Sequence, residues 1–286
     1  MSSRNESPAA ERPDPSRAKP APDPVGLFRQ RMAKTVQRLQ TKVDIGFASN
    51  PFRALRARFV IATGGGRVGS HLLCQGLLNH GGNVKEYLNP NRIFQKCVGE
   101  GASLEVYCEQ TLRKFAANGV FGVKGNPNIL APLALAGEFP EFRAEWKFVY
   151  LRRLNVVKQA ISQLKAELTG AWQSSKEPDR ELGDMDFDGT RISTVIEGNQ
   201  EANATWEEIF ELFEIKPLRL TYEDLAIDSA AAALRTAEFL ALDEPAIKAK
   251  SWLPLQPQAD ALSDRWEQRF REEHAAFCLE KEAPVA

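Results

Sequence analysis

Cysteine, histidine and methionine are scarce in this chain of 286 residues, at four, three and three. Cys74, Cys97, Cys108 and Cys278 form no Cys-x-x-Cys pair, and His71, His80 and His274 share no ligand spacing. That excludes the common structural zinc motifs, so reduced thiols and no metal are expected. Net charge is nearly absent too: 37 Lys and Arg against 38 Asp and Glu leave −1. No overall field draws the protein to nucleic acid, and any anion site must be local. No apolar run approaches the roughly 18 to 20 residues that span a bilayer, and the opening MSSRNESPAAERPDPSRAKPAPDP lacks the apolar centre of a secretion signal. A cytoplasmic location is the expectation. What the chain does have is 43% hydrophobic residues, enough for one large α/β core or two small ones.

Residues 1–25 are Pro, Ala, Ser and charge with almost nothing to bury, and are expected to be a disordered arm. Residues 26–50 read as a basic amphipathic helix, with Leu27, Phe28, Met32, Val36, Leu39 and Val43 at helical spacing and Arg29, Arg31, Lys34, Arg38 and Lys42 on other faces. Such a helix packs on its own domain or a dimer mate, the favoured reading, or makes peripheral contact with a membrane. Residues 51–286 form the main domain. There RFVIAT, NVKEYL, GVFGVKG, WKFVYLR and PLRLT read as strands alternating with helices, which implies a central parallel sheet flanked by helices. The stretch from Ala166 to about Thr205 is polar but carries Trp172, Met185 and Phe187, and reads as a lid or acceptor-binding excursion.

The turn after the first strand carries the chemistry. In TGGGRVGSHLL, Gly64 and Gly69 have the outer spacing of a Walker loop, but Ser70 and His71 stand where its Lys and its Ser or Thr belong. An ordinary ATPase or kinase is therefore not expected. A glycine loop between a strand and a helix still cradles an anion on unpaired N–H groups, and Arg67 adds a forked cation. Gly64, Gly66 and Gly69 also satisfy Gly-x-Gly-x-x-Gly, with Glu86 placed 17 residues on. A Rossmann-type dinucleotide oxidoreductase is thus an open alternative.

Four blocks in order carry a resemblance: FVIATGGGRVGSHLL with KEYLNP, GVFGVKGN, YLRRLNVVKQAISQ and LQPQADALSDRWEQRFR. Together they resemble the bacterial trehalose 2-sulfotransferase family, with His71 replacing the loop threonine and Leu154 the usual proline. The resemblance implies a P-loop-like α/β fold and transfer of a sulfuryl group from 3′-phosphoadenosine 5′-phosphosulfate to a hydroxyl of a small-molecule, carbohydrate or glycolipid-like acceptor. It implies no metal and no nucleic-acid partner, and a homodimer is compatible with it. A non-catalytic scaffold with the same fold is the other alternative.

Carried over residue by residue, the resemblance makes Glu86 the base and gives Lys124 the charge on the bridging oxygen. Arg67, Gly69 and Ser70 would hold the 5′-phosphosulfate, His71 would donate to the same group or else cap the helix, and Arg153 and Ser162 would hold the 3′-phosphate. Ser263 and Trp266, with Gln258, Asp260 and Asp264, would close over the nucleotide or support the loop, although Trp266 and Phe270 at i and i+4 also suit a core. Tyr87 and Trp172 are candidate stacking platforms for the acceptor.

Overall fold

A computed structural model describes residues 23–137, 145–172, 176–242 and 260–282. Most of the N-terminal arm, and Gln258, lie outside these residues. The first helix, α1 (Pro24–Gln40), opens where Asp23 accepts hydrogen bonds from the N–H groups of Val25 and Gly26 and Pro24 supplies a preset first turn. It is shorter than the 26–50 segment read from the pattern. Its Phe28, Met32 and Leu39 are buried in the same core as the sheet, with Phe28 edge-on to Phe213 at 6.0 Å, so its apolar face is turned to its own domain.

Five parallel strands follow: β1 (Ala57–Thr63), β2 (Val84–Lys85), β3 (Val120–Gly125), β4 (Trp146–Arg152) and β5 (Leu218–Thr221). Their order across the sheet is β2-β3-β1-β4-β5. All five sequence-expected strands form, although NVKEYL contributes only two residues because Glu86 and Tyr87 turn out of the sheet. Among the described residues the remaining α-helices are α2 (Ser70–Leu78), α3 (Pro90–Glu100), α4 (Leu104–Phe115), α5 (Leu130–Leu135), α6 (Val156–Thr169), α7 (Gly189–Leu212), α8 (Tyr222–Ile227), α9 (Ser229–Leu240), α10 (Ala261–Glu273) and α11 (Ala275–Glu282).

Alternate side chains sort the sheet into two buried faces. Val60, Ala62, Phe121, Val123, Phe148 and Tyr150 pack with α1, α3, α4, α5 and the C-terminal half of α7. Phe59, Ile61, Val120, Val149 and Leu151 pack under α2 and α9. A third cluster joins α6, the N-terminal half of α7, α10 and α11 through Ile161, Ile192, Ile196, Trp266 and Phe270.

Two expectations change here. The excursion from Ala166 to Thr205 is largely not a lid: from Gly189 it is the long helix α7, held in the core by Ile192, Ile196 and Trp206, whose indole donates to the Thr63 carbonyl at 3.0 Å. Asp188 caps it by accepting from the Arg191 N–H, a start signal hidden by the polar composition around it. Tyr87 is 1% exposed, sandwiched by Phe115 and Phe121, with its hydroxyl donating to Asn83. It belongs to the core and offers no face to an acceptor.

Among the described residues no helix is long and apolar enough to cross a membrane.

Candidate active site

Because all strands run the same way, the loops after β1, β3, β4 and β5 gather at one edge of the sheet, around a cleft of about 1800 Å³. Its floor is the glycine loop. Trp206 holds the end of β1, after which Gly64 and Gly65 run so close to α7 that a β-carbon on either would collide with Asn203 or Asn199. Arg67 (φ 64°) and Gly69 (φ 78°) both take the left-handed backbone conformation, which turns the chain sharply into α2. Gly69 provides no side-chain cap, so the first N–H groups of α2 face the cleft unpaired by any capping group.

Two arginines flank this N-terminus. Arg67 donates through Nε to Ser162 Oγ (2.8 Å) and through Nη1 to the Trp172 carbonyl (2.7 Å). Arg153, at the end of β4, donates through Nη1 to the Arg67 carbonyl (3.2 Å) and lies 4.3 Å over the Tyr222 ring. Its Nε is buried without a hydrogen-bond partner. Burial lowers the pKa of both guanidiniums, and for Arg67 the neighbouring Arg153 charge lowers it further. Two partly buried cations, donating in these bonds to neutral oxygens, make this end of the cleft favourable to an anion. Gln159 ties the loop to α6 by donating to the Gly66 carbonyl at 3.0 Å.

Across the helix N-terminus stands the second cluster. Lys124, at the end of β3 and 16% exposed, places Nζ 3.2 Å from Glu86 Oε1 and 3.2 Å from Ser70 Oγ. Glu86, just past β2, is 52% exposed at the cleft wall. His71 lies beside them, with Nε2 3.1 Å from Gln75 Nε2, and its pKa is lowered by burial first and then by Lys124 and Lys85.

The fold therefore brings Glu86, Lys124, Arg67, Gly69, Ser70, His71, Arg153 and Ser162 to one cleft. Trp172 also reaches it, but over Gly66, where its ring would sit 3.5 Å from an added β-carbon, and not beside Glu86. Ser263 lines the far edge, accepting from Lys165 and donating to Asp260. Trp266 does not line the cleft: it is 1% exposed and edge-on to Phe187, so the core alternative describes it.

Sequence reasoning missed Asn199, Asn203, Gln159 and Tyr222. The signal was present as two asparagines four apart, on one face of a helix that composition disguised as a loop. Among the described residues no three His, Cys, Asp or Glu side chains gather as a metal site.

The strand order argues against the Rossmann reading of the glycine loop. In a Rossmann sheet the second strand lies beside the first, which brings its terminal acid to the ribose; here β3 separates them, and Glu86 pairs with Lys124. Residues 140–273 match the Stf0 sulphotransferase family. That stretch holds Arg153, Ser162, the two asparagines and Tyr222, whereas the glycine loop, Glu86, Lys124 and α1 precede it. The Stf0 match supports sulfotransferase activity in general and implies a small-molecule acceptor. No curated protein matches the chain significantly.

Proposed function

We propose that this protein transfers a sulfuryl group from 3′-phosphoadenosine 5′-phosphosulfate to a hydroxyl of a carbohydrate-like acceptor. The observation that carries the reading is the pair of guanidiniums, Arg67 and Arg153, packed with Ser162 against an uncapped helix N-terminus, with Glu86 and Lys124 on its other side. In this reading Arg67 and the N–H groups of Gly69 and Ser70 hold the 5′-phosphosulfate. Arg153 and Ser162 hold the 3′-phosphate, the group that distinguishes this donor from other adenosine nucleotides. The acceptor oxygen forms its bond to sulfur as the bond from sulfur to the phosphate oxygen breaks. Glu86 takes the hydroxyl proton, and Lys124 balances the charge that grows on the departing phosphate oxygen.

Calorimetry provides the test. The protein is expected to bind 3′-phosphoadenosine 5′-phosphate in the presence of a chelator and not to bind NAD. The opposite pattern would overturn the reading.

A further inference from the structure

Arg153 and Ser162 lie on either side of one corner, where β4 runs out and α6 begins. Leu154 and Asn155 make the turn. A chain entering a helix carries N–H groups without intrahelical partners, and here two of them go to one side chain. The Leu154 N–H donates to Glu223 Oε1 at 3.2 Å and Oε2 at 3.1 Å, and the Asn155 N–H donates to Oε1 at 3.4 Å. Glu223 is half-buried, and its carboxylate sits where a helix N-terminus favours negative charge. Its own place is fixed by a capping box at the start of α8: the Thr221 N–H donates to Asp224 Oδ2 at 2.8 Å, and the Asp224 N–H donates to Thr221 Oγ1 at 3.0 Å. Thr221 in turn lies beside Arg152 in the sheet register. Tyr222, one residue before Glu223, packs its ring against the Arg153 guanidinium at 4.3 Å. The first two residues of α8 therefore hold both the head of Arg153 and the backbone that follows it.

We propose that Glu223 is a positioning residue for the 3′-phosphate: it fixes the corner that carries Arg153 before it and Ser162 after it, and so sets the preference for a 3′-phosphorylated nucleotide. The inference rests on the sulfuryl-transfer reading. The helix side of the corner has further holds, since Asn155 Oδ1 accepts from the Lys158 N–H at 2.8 Å and its Nδ2 donates to Glu267 of α10 at 2.9 Å. On the strand side the hold is Glu223. Leu154 is 60% exposed, so its side chain adds little to the core and the position acts through its backbone. A leucine leaves φ free where a proline ring would lock it, but it brings an N–H that proline lacks. The bonds to Glu223 supply by hydrogen bonding the restraint that a ring would supply covalently. A shift at this corner moves both ligands, because Arg153 donates to the Arg67 carbonyl and Arg67 donates to Ser162.

The restraint can be transferred from Glu223 to residue 154, which provides the test. Calorimetry with 3′-phosphoadenosine 5′-phosphate and with adenosine 5′-monophosphate is carried out on the parent protein and on Glu223→Gln, Glu223→Ala, Leu154→Pro and the Leu154→Pro/Glu223→Ala double variant, with thermal melts to confirm folding. Glu223→Ala is expected to weaken the 3′-phosphorylated nucleotide about tenfold, the scale of a lost charge-assisted hydrogen bond. The monophosphate should change by less than about threefold, because the 5′ end keeps its partners. Glu223→Gln retains an acceptor oxygen and should lose less. In the Leu154→Pro background, where the ring restrains the corner and the N–H is gone, the same Glu223→Ala step should cost about threefold or less. An unchanged affinity in Glu223→Ala, the same factor in both backgrounds, or equal losses for the two nucleotides overturns the positioning role and leaves the nucleotide reading standing. Should the alanine variants fail to fold, the glutamine variant decides: an unchanged ratio of the two affinities overturns the role. A parent protein that binds neither nucleotide overturns the sulfuryl-transfer reading instead.

Discussion

At the Arg67 end of the cleft, polar groups are bonded across elements: Arg67 to α6 and to the Trp172 carbonyl, Arg153 to the loop, Gln159 to Gly66. At the Glu86 end, a half-exposed carboxylate meets Lys124 and is open to the cleft. The first end is preorganised and partly desolvated, which suits tight holding of a fixed anion. The second is wet and adjustable, which suits a group that must accept a proton from whatever hydroxyl arrives. In the proposed reaction binding and chemistry are thus separable, and substitutions can separate them.

The largest effect is expected from Glu86→Gln. It keeps the shape of the wall and removes the proposed base, so transfer should fall by about 10²–10⁴-fold, the usual contribution of a positioned general base. Calorimetric affinity for 3′-phosphoadenosine 5′-phosphate should stay within about threefold, because the arginine end is untouched. Equal losses in both would erase the division of labour between the two ends.

Next in size is Arg153→Ala. If Arg153 holds the 3′-phosphate, affinity for 3′-phosphoadenosine 5′-phosphate should drop about 10–100-fold, as for a lost charge-assisted hydrogen bond. Affinity for adenosine 5′-monophosphate, which lacks that group, should change far less. Parallel losses would mean that Arg153 only props the loop through the Arg67 carbonyl and the Tyr222 ring.

How much of this was written locally explains what could be read in advance. The strands were legible because runs such as RFVIAT and WKFVYLR are short, β-branched or aromatic, and bounded by turns. The glycine loop was legible because positive φ at Gly69 and close approach to α7 at Gly64 and Gly65 require glycine. Long-range partners were not. Nothing local in Tyr87 says that Phe115 and Phe121 will enclose it, and the polar stretch before Thr205 hides a helix whose stability comes from tertiary burial of Ile192, Ile196 and Trp206.

His71 sits between the two ends and should give the smallest effect, in pH dependence. Burial first, then the charges on Lys124 and Lys85, hold its pKa below 6.5 in the folded protein. An unfolded chain has no such penalty and takes up a proton near pH 6.5 that the folded state refuses. The stability contributed by the neutral ring is therefore complete above the unfolded pKa and is lost as pH falls from there through the lower folded value. Thermal melts between about pH 7 and 5 should show a shallower decline for His71→Gln than for the parent protein. Saturating 3′-phosphoadenosine 5′-phosphate should narrow the gap, since an anion at the α2 N-terminus opposes the two lysine charges and raises the pKa of the ring. Parallel curves with and without nucleotide would place His71 outside the field of the bound phosphates.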